Sequence, residues 1–400
     1  MIIFFFFGLF IPPVWLGLHI WRLKNWPRVL RALCILGLFV CSQMYTIDIA
    51  LFGSLAGPEM PRWLLLGQAV ALVSLIVTFL LVAAFDLLSF MRPKSQSLVD
   101  PKRREFLQGA CKMTLGLSFT GVGLCIGGSA VAKGIQDPQV FERPVLLGNL
   151  PAGLEGFKLV QLSDLHLATL TTKTWLQHLV AHVNAVQPDL ICITGDLADG
   201  LPTFSVADGG TRADLAKALG ALQAPLGVWA CTGNHEYYSD YLGWMQLFTS
   251  AGIRFLHDKA EVLEWQGAKI VLAGRNDKQA QHYLQAPCAK AADILHGFQR
   301  ESQSMSIMLD HRPERAQENA AAGCRLQLSG HTHGGQCLGM DRLVALANKG
   351  WVRGFYQVGD MTLYVNNGAG LWSGFPARFG VPAEIALLKF CDKDSAKAKA

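Results

Sequence analysis

The sequence is short of charge. Only 16% of its 400 residues are Asp, Glu, Lys or Arg, against 51% hydrophobic, and an apolar excess of that size does not fit a purely soluble chain of ordinary make-up. The sequence also lacks a long basic stripe interleaved with aromatics, and its net charge of +5 is modest, so nucleic-acid binding finds no support. None of the ten cysteines forms a C-x-x-C pair, which argues against a structural zinc site or a dithiol redox motif. Cys34, Cys41, Cys111 and Cys125 lie in or beside apolar runs and read as small buried hydrophobes. Cys192 and Cys231 fall within expected core strands and read as buried free thiols.

What is present in excess is apolar sequence, and its distribution is uneven. Four hundred residues suggest at least two structural units. Residues 1–135 hold the long apolar runs, and the remainder reads as an ordinary soluble domain. An all-α membrane region of about four helices is expected, with spans near 2–21, 32–57, 63–85 and 113–132. Pro12 and Pro13 interrupt the first, and the fourth is rich in glycine. Asp48 and Asp86 lie near expected ends and the spans carry few other charges, so an anchor is expected in place of a transporter.

Basic residues set the orientation. Arg22, Lys24, Arg28 and Arg31 follow the first span, and Arg92, Lys94, Lys102, Arg103 and Arg104 precede the fourth. Both loops are expected in the cytoplasm, which places the chain after Ala132 on the outer face. For a bacterial inner membrane this means a multi-pass protein with a periplasmic domain. Lys102-Arg103-Arg104-Glu105-Phe106-Leu107 resembles a twin-arginine export signal, and Ala130-Val131-Ala132 a signal-peptidase site.

Residues 150–391 alternate short apolar runs with helix-like stretches, the pattern of an α/β domain, and residues 392–400 form a polar tail. Strands are expected at Phe157–Leu162, Leu190–Thr194, Val228–Thr232, Ile270–Ala273, Ser306–Leu309, Leu326–Leu328, Thr362–Val365 and Ile385–Phe390. The spacing of Leu176, Leu179, Val180 and Val183 predicts a helix over Trp175–Val186. Polar residues gather just past the strand ends, where an α/β sheet presents loops to a ligand. Asp164 and His166 follow the first strand, Asp196 and Asp199 the second, and Asn234, His235 and Glu236 the third. His311, then His331 and His333, follow later ones. The six other histidines have no such setting and read as ordinary surface or core residues.

The order Asp164-Leu165-His166, Gly195-Asp196-Leu197-Ala198-Asp199, Gly233-Asn234-His235-Glu236, His311, Gly330-His331-Thr332-His333 resembles the five blocks of the calcineurin-like metallophosphoesterases. The resemblance runs from about Phe157 to Phe390. Gly334-Gly335-Gln336, Gly368-Ala369-Gly370 and Pro382-Ala383-Glu384 are similar to a bacterial branch with membrane-linked and twin-arginine-exported members. The apolar spans make the chain similar to transmembrane proteins with a metallophosphoesterase domain. The family's fold is a four-layer α/β/β/α sandwich.

The resemblance implies that Asp164, His166 and His333 hold one divalent metal and that Asn234, His311 and His331 hold a second. Asp196 would bridge the two, with His235 beyond them as the catalytic histidine. It implies hydrolysis of a phosphomonoester, phosphodiester or diphosphate by a metal-bound hydroxide, without a covalent intermediate. A donor set of imidazole, carboxylate and amide oxygen without thiolate suits Mn²⁺ first, with Fe or Zn²⁺ as alternatives. A bilayer anchor favours a lipid-linked envelope substrate. The competing readings are an inactive membrane sensor or scaffold and, for an inverted topology, a cytoplasm-facing UDP-diacylglucosamine-type diphosphatase. Arg275 and Arg378 stand as phosphate contacts or as solvated surface residues.

Overall fold

A computed structural model of the chain describes residues 10–23, 26–54, 57–91, 101–285, 287–298 and 304–393. It divides into two compact units, Met1–Gly53 with Met60–Lys133, and Ser54–Glu59 with Gly134–Ala400.

The first unit is helical: α1 (Ile11–Trp21), α2 (Arg28–Phe52), α3 (Arg62–Met91) and α4 (Pro101–Gly134). Arg28–Asp48, Arg62–Met91 and Thr114–Gly134 are long and apolar enough to cross a membrane, and they overlap the second, third and fourth expected spans. The first expected span is described only as α1, since residues 1–9 lie outside the described residues. Pro12 and Pro13 do not break α1. They sit in its first turn, where the N–H groups they lack would have no helical partner. Two acids of this unit have partners: Asp86 meets His19 Nε2 at 2.8 Å, and Asp48 accepts from Gln68 at 3.2 Å. The side chains of the Lys102–Leu107 motif lie outside the described residues, as do residues 394–400 of the tail.

The second unit holds two six-stranded mixed sheets. The first contains β1 (Gln139–Leu147), β2 (Lys158–Leu162), β3 (Leu190–Thr194), β4 (Val228–Cys231), β5 (Ile253–Phe255) and β12 (Glu384–Asp392). Its spatial order is β1-β12-β2-β3-β4-β5, with β2 through β5 parallel and β12 antiparallel to β2. The second contains β6 (Lys259–Trp265), β7 (Ala268–Gly274), β8 (Ser304–Leu309), β9 (Leu326–Ser329), β10 (Gly354–Val358) and β11 (Met361–Val365). Here the order is β10-β11-β9-β8-β7-β6, parallel from β7 to β11 with an antiparallel strand at each edge.

Alternation along the strands builds the layers. Leu159, Leu190 and Cys192 face the second sheet, where they pack with Ile270, Leu272, Ile307 and Leu326. Their neighbours Val160, Leu162, Ile191 and Ile193 point the other way onto helices α5 (Lys173–Ala185), α6 (Arg212–Ala218) and α7 (Tyr241–Ser250). Leu176, Leu179, Val180 and Val183 form the buried stripe of α5, and Thr172 caps that helix by accepting from Trp175 N. Val271, Ala273, Met308 and Leu363 close the outer face of the second sheet against Ala291, Ile294 and Ala316. The result is the expected α/β/β/α sandwich.

Between the sheets, Gln161 of β2 is fully buried and donates to Thr194 Oγ1 and to Ser329 O of β9, both at 2.9 Å. An unpaired buried amide is costly, so this pair of bonds fixes the carboxyl ends of β2, β3 and β9 side by side. The loops that carry the expected ligands all leave from that rim.

Candidate metal centre

Asp164, His166 and His333 converge, with one donor atom from each inside a 4.8 Å cluster, and Asp196, His311 and His331 form a second such cluster. Asp196 stands between them: its Oδ2 lies 4.0 Å from His166 Nε2 and 3.1 Å from His311 Nε2. His166 Nε2 and His333 Nε2 face one another at 3.1 Å, and Asp164 Oδ1 is 3.5 Å from the latter. Asn234 begins the one-turn helix His235–Tyr238, yet its side chain caps nothing there. Its Oδ1 is buried without a hydrogen-bond partner. Buried acceptors are seldom left unpaired. The donor chemistry of Asn234 Oδ1, an amide oxygen with nothing to accept from, suits a cation.

The neighbours fix how the histidines present themselves. His311 Nδ1 donates to Thr194 O at 2.7 Å and His166 Nδ1 to an Asp199 oxygen at 3.1 Å. Each leaves its Nε2 lone pair for a metal, the usual outer support of a ligating imidazole. His331 and His333 are held well below the ordinary histidine value by burial, reinforced by Arg312 and His166 respectively, so both are neutral and able to ligate. Burial pushes Asp196 up, but the facing His311 and His235 overcome it and keep the carboxylate ionised. Burial works against a charged His311 as well, and Asp196 reverses it, raising the metal-free imidazole to about 10.

Backbone strain recurs at the same residues. Asp164, His166, Asp196, His331 and His333 all have positive φ, between 44° and 70°. Such a conformation is uncommon away from glycine and costs about 1–3 kcal/mol per residue. Sequence gives no sign of it. The turns that impose it are legible through their glycines: a Cβ on Gly330 would overlap Ser163 Oγ and Asp164 Oδ2, and one on Gly233 would overlap Asp196 Oδ1.

His235 is in neither of these two clusters but forms a third such grouping with His166 and Asp199. Its Nδ1 meets Asp199 Oδ1 at 2.6 Å, its backbone N donates to Asp196 Oδ1, and its ring lies against Tyr238 and Trp372. Burial would lower this histidine, but Asp199 and Asp196 raise it to about 9. Asp199 serves both His166 and His235, and these two imidazoles outweigh burial to hold its carboxyl at about 2. The sequence motif contains Asp199 but says nothing of this double role. Glu236 is a second residue without an assigned role in the sequence reading. It is fully buried and accepts from the backbone N of Asp196, Leu197 and Gly233, tying the second ligand loop to the third. A third is Arg312, which donates to Asp277 at 2.6 Å and to His331 Nε2 at 2.9 Å.

Two expectations need correction. Neither Arg275 nor Arg378 is a solvated surface residue, at 3% and 1% exposure. Arg275 pairs with Glu318 and Asn319 behind the second sheet. Arg378 donates to the carbonyls of Asn367, Gly368 and Gly370 and lies 3.5 Å from His333 Nδ1, so it supports the wall behind that residue.

Comparison with known proteins bears on the family of the chain. The family model described as calcineurin-like phosphoesterase matches residues 157–335. A transmembrane protein with metallophosphoesterase domain from Danio rerio is 35% identical over 260 residues, 62% of this chain and 56% of that protein. Its counterpart in Bos taurus is 31% identical over 318 residues, covering 76% and 67%. The metallophosphoesterase YkuE of Bacillus subtilis strain 168 is 29% identical over 294 residues, covering 71% and 96%. The chain thus spans between about half and two thirds of the two animal relatives. By fold, motif order and these likenesses, the chain belongs to the calcineurin-like metallophosphoesterase family.

Proposed function

We propose that this chain is a membrane-anchored phosphoesterase with a dinuclear metal site, acting on a phosphomonoester, phosphodiester or diphosphate. One observation carries the reading: Asp196 Oδ2 stands between His166 of one cluster and His311 of the other. Asp164, His166 and His333 would hold one cation, Asn234, His311 and His331 the other, with Asp196 shared. The donor set favours Mn²⁺. Divalent cations in such a site neutralise the phosphate and make water acidic enough to attack at neutral pH.

The protein's own groups do the rest. His235 is fixed at Nδ1 by Asp199, which leaves Nε2 to donate to a phosphoryl oxygen or to hand a proton to the leaving group. Asp199 holds that ring in place and keeps it protonated at neutral pH. Trp372 and Tyr238 confine the ring on two sides. Three apolar helices and the basic residues beside them support a bacterial inner-membrane location with the domain outside the cytoplasm, and that setting favours a lipid-linked substrate.

The test is hydrolysis by the purified full chain of p-nitrophenyl phosphate, bis-p-nitrophenyl phosphate and a diphosphate ester, after chelation and after Mn²⁺ is restored. Mn²⁺-dependent turnover of at least one is expected. No turnover with Mn²⁺, Fe²⁺ or Zn²⁺ would sink the reading.

A further inference from the structure

Ser54–Glu59 belongs to the second unit, although in sequence it lies between α2 and α3. Glu59 makes a two-pronged ion pair with Arg212, 2.9 Å from Oε1 to Nη1 and 2.5 Å from Oε2 to Nη2. Arg212 is the first residue of α6 and is 1% exposed. The same guanidinium donates from Nη1 to Asp199 O and from Nη2 to Thr169 Oγ1, both at 2.9 Å, and lies over the Phe204 ring. Its backbone carbonyl clamped in this way, Asp199 directs its carboxylate to His235 on one oxygen and His166 on the other.

We propose that Glu59 is a positioning residue for the Asp199–His235 pair and acts through Arg212. The planar fork of an arginine is oriented by a bidentate carboxylate more firmly than by single bonds. Without Glu59 the buried guanidinium keeps only a carbonyl and a hydroxyl as acceptors, an uncompensated charge that moves toward water or another anion. Because Nη1 grips the Asp199 carbonyl directly, that movement displaces the carboxylate. Small misplacements near a reacting group are costly, with about a hundredfold possible for 1 Å. The alternative for Glu59 is a purely structural ion pair, whose loss would lower stability without singling out His235.

The inference rests on the phosphoesterase reading, and its test separates the two. Glu59→Gln and Glu59→Ala are made in the full chain, in the wild-type and His235→Ala backgrounds, and assayed on bis-p-nitrophenyl phosphate with saturating Mn²⁺. Their Mn²⁺ affinity is measured by calorimetry. In the wild-type background kcat should fall about tenfold while KM stays unchanged, and Mn²⁺ affinity should also fall about tenfold because His166 leans on the same carboxylate. In the His235→Ala background neither substitution should lower kcat further. An equal loss of kcat in both backgrounds overturns the proposal, as do wild-type kcat and Mn²⁺ affinity in both variants. If the unsubstituted chain hydrolyses nothing, the phosphoesterase reading fails, and Mn²⁺ affinity alone decides whether Glu59 supports Asp199.

Discussion

Asp199 is the sharpest place to perturb the site, because one carboxylate serves two histidines with different duties. Asp199→Asn preserves size and removes a full charge, since the carboxyl is held at about 2 and is ionised at any assay pH. The amide has one accepting oxygen and one donating nitrogen. It can accept from His235 Nδ1, now at 2.6 Å, or from His166 Nδ1, now at 3.1 Å, but cannot serve both without a tautomer change. A hydrogen bond to a charged group contributes about 1.5–3 kcal/mol. At about 1.36 kcal/mol per decade, loss of one bond is a deficit of about 10- to 100-fold. If His235 loses, kcat on bis-p-nitrophenyl phosphate falls. If His166 loses, its proton moves to Nε2, the nitrogen turned toward His333, and Mn²⁺ affinity falls. The assay is kcat at saturating Mn²⁺ beside calorimetric Mn²⁺ binding, on the full chain. Wild-type values for both would refute the double role.

Three further outcomes follow from the same geometry. His235→Ala should keep its metal, because His235 is in neither proposed ligand set and its Nδ1 is engaged by Asp199, while kcat on the diester falls about 10²- to 10⁴-fold; loss of metal, measured by ICP mass spectrometry, would speak against that separation. Gly330→Ala should fold but bind Mn²⁺ poorly, because the added methyl displaces Asp164 and Ser163; wild-type metal content would contradict the steric argument. In the metal-free protein His311 is raised to about 10, so the bound form must lose a proton that the free form carries. Mn²⁺ affinity should therefore rise with pH by about tenfold per unit up to that value, and calorimetry at pH 6.5, 7.5 and 8.5 that gave a flat dependence would overturn the assignment.

The layers were legible where burial was two-sided. Leu190–Thr194 is buried at all five positions and reads as a strand from its run of Leu, Ile, Cys, Ile and Thr. Gln139–Leu147 was not legible. Its exposure is mixed, it contains Pro144, and it becomes a strand only by pairing with β12 from the other end of the chain. The candidate residues of the site were legible because glycine-bearing turns and strand ends mark them within short segments. The supports were hidden, since they depend on which loops meet. Asp199 finds His166 across 33 positions, and Glu236 finds Leu197 across 39. Arg212 finds Glu59 across 153. Positive φ at five of the candidate residues is nearly as silent, because aspartate and histidine, though enriched there among non-glycine residues, enter the left-handed region far less readily than glycine.

The central claim is that Asp196 joins two metal sites. Its most direct test is the stoichiometry of Mn²⁺ in the chelated and refilled full chain, measured for wild type and for Asp196→Asn. Two equivalents per chain are predicted for the wild type, with loss of bound metal in Asp196→Asn. A single equivalent in the wild type, or two retained by Asp196→Asn, would contradict a dinuclear site bridged by this residue.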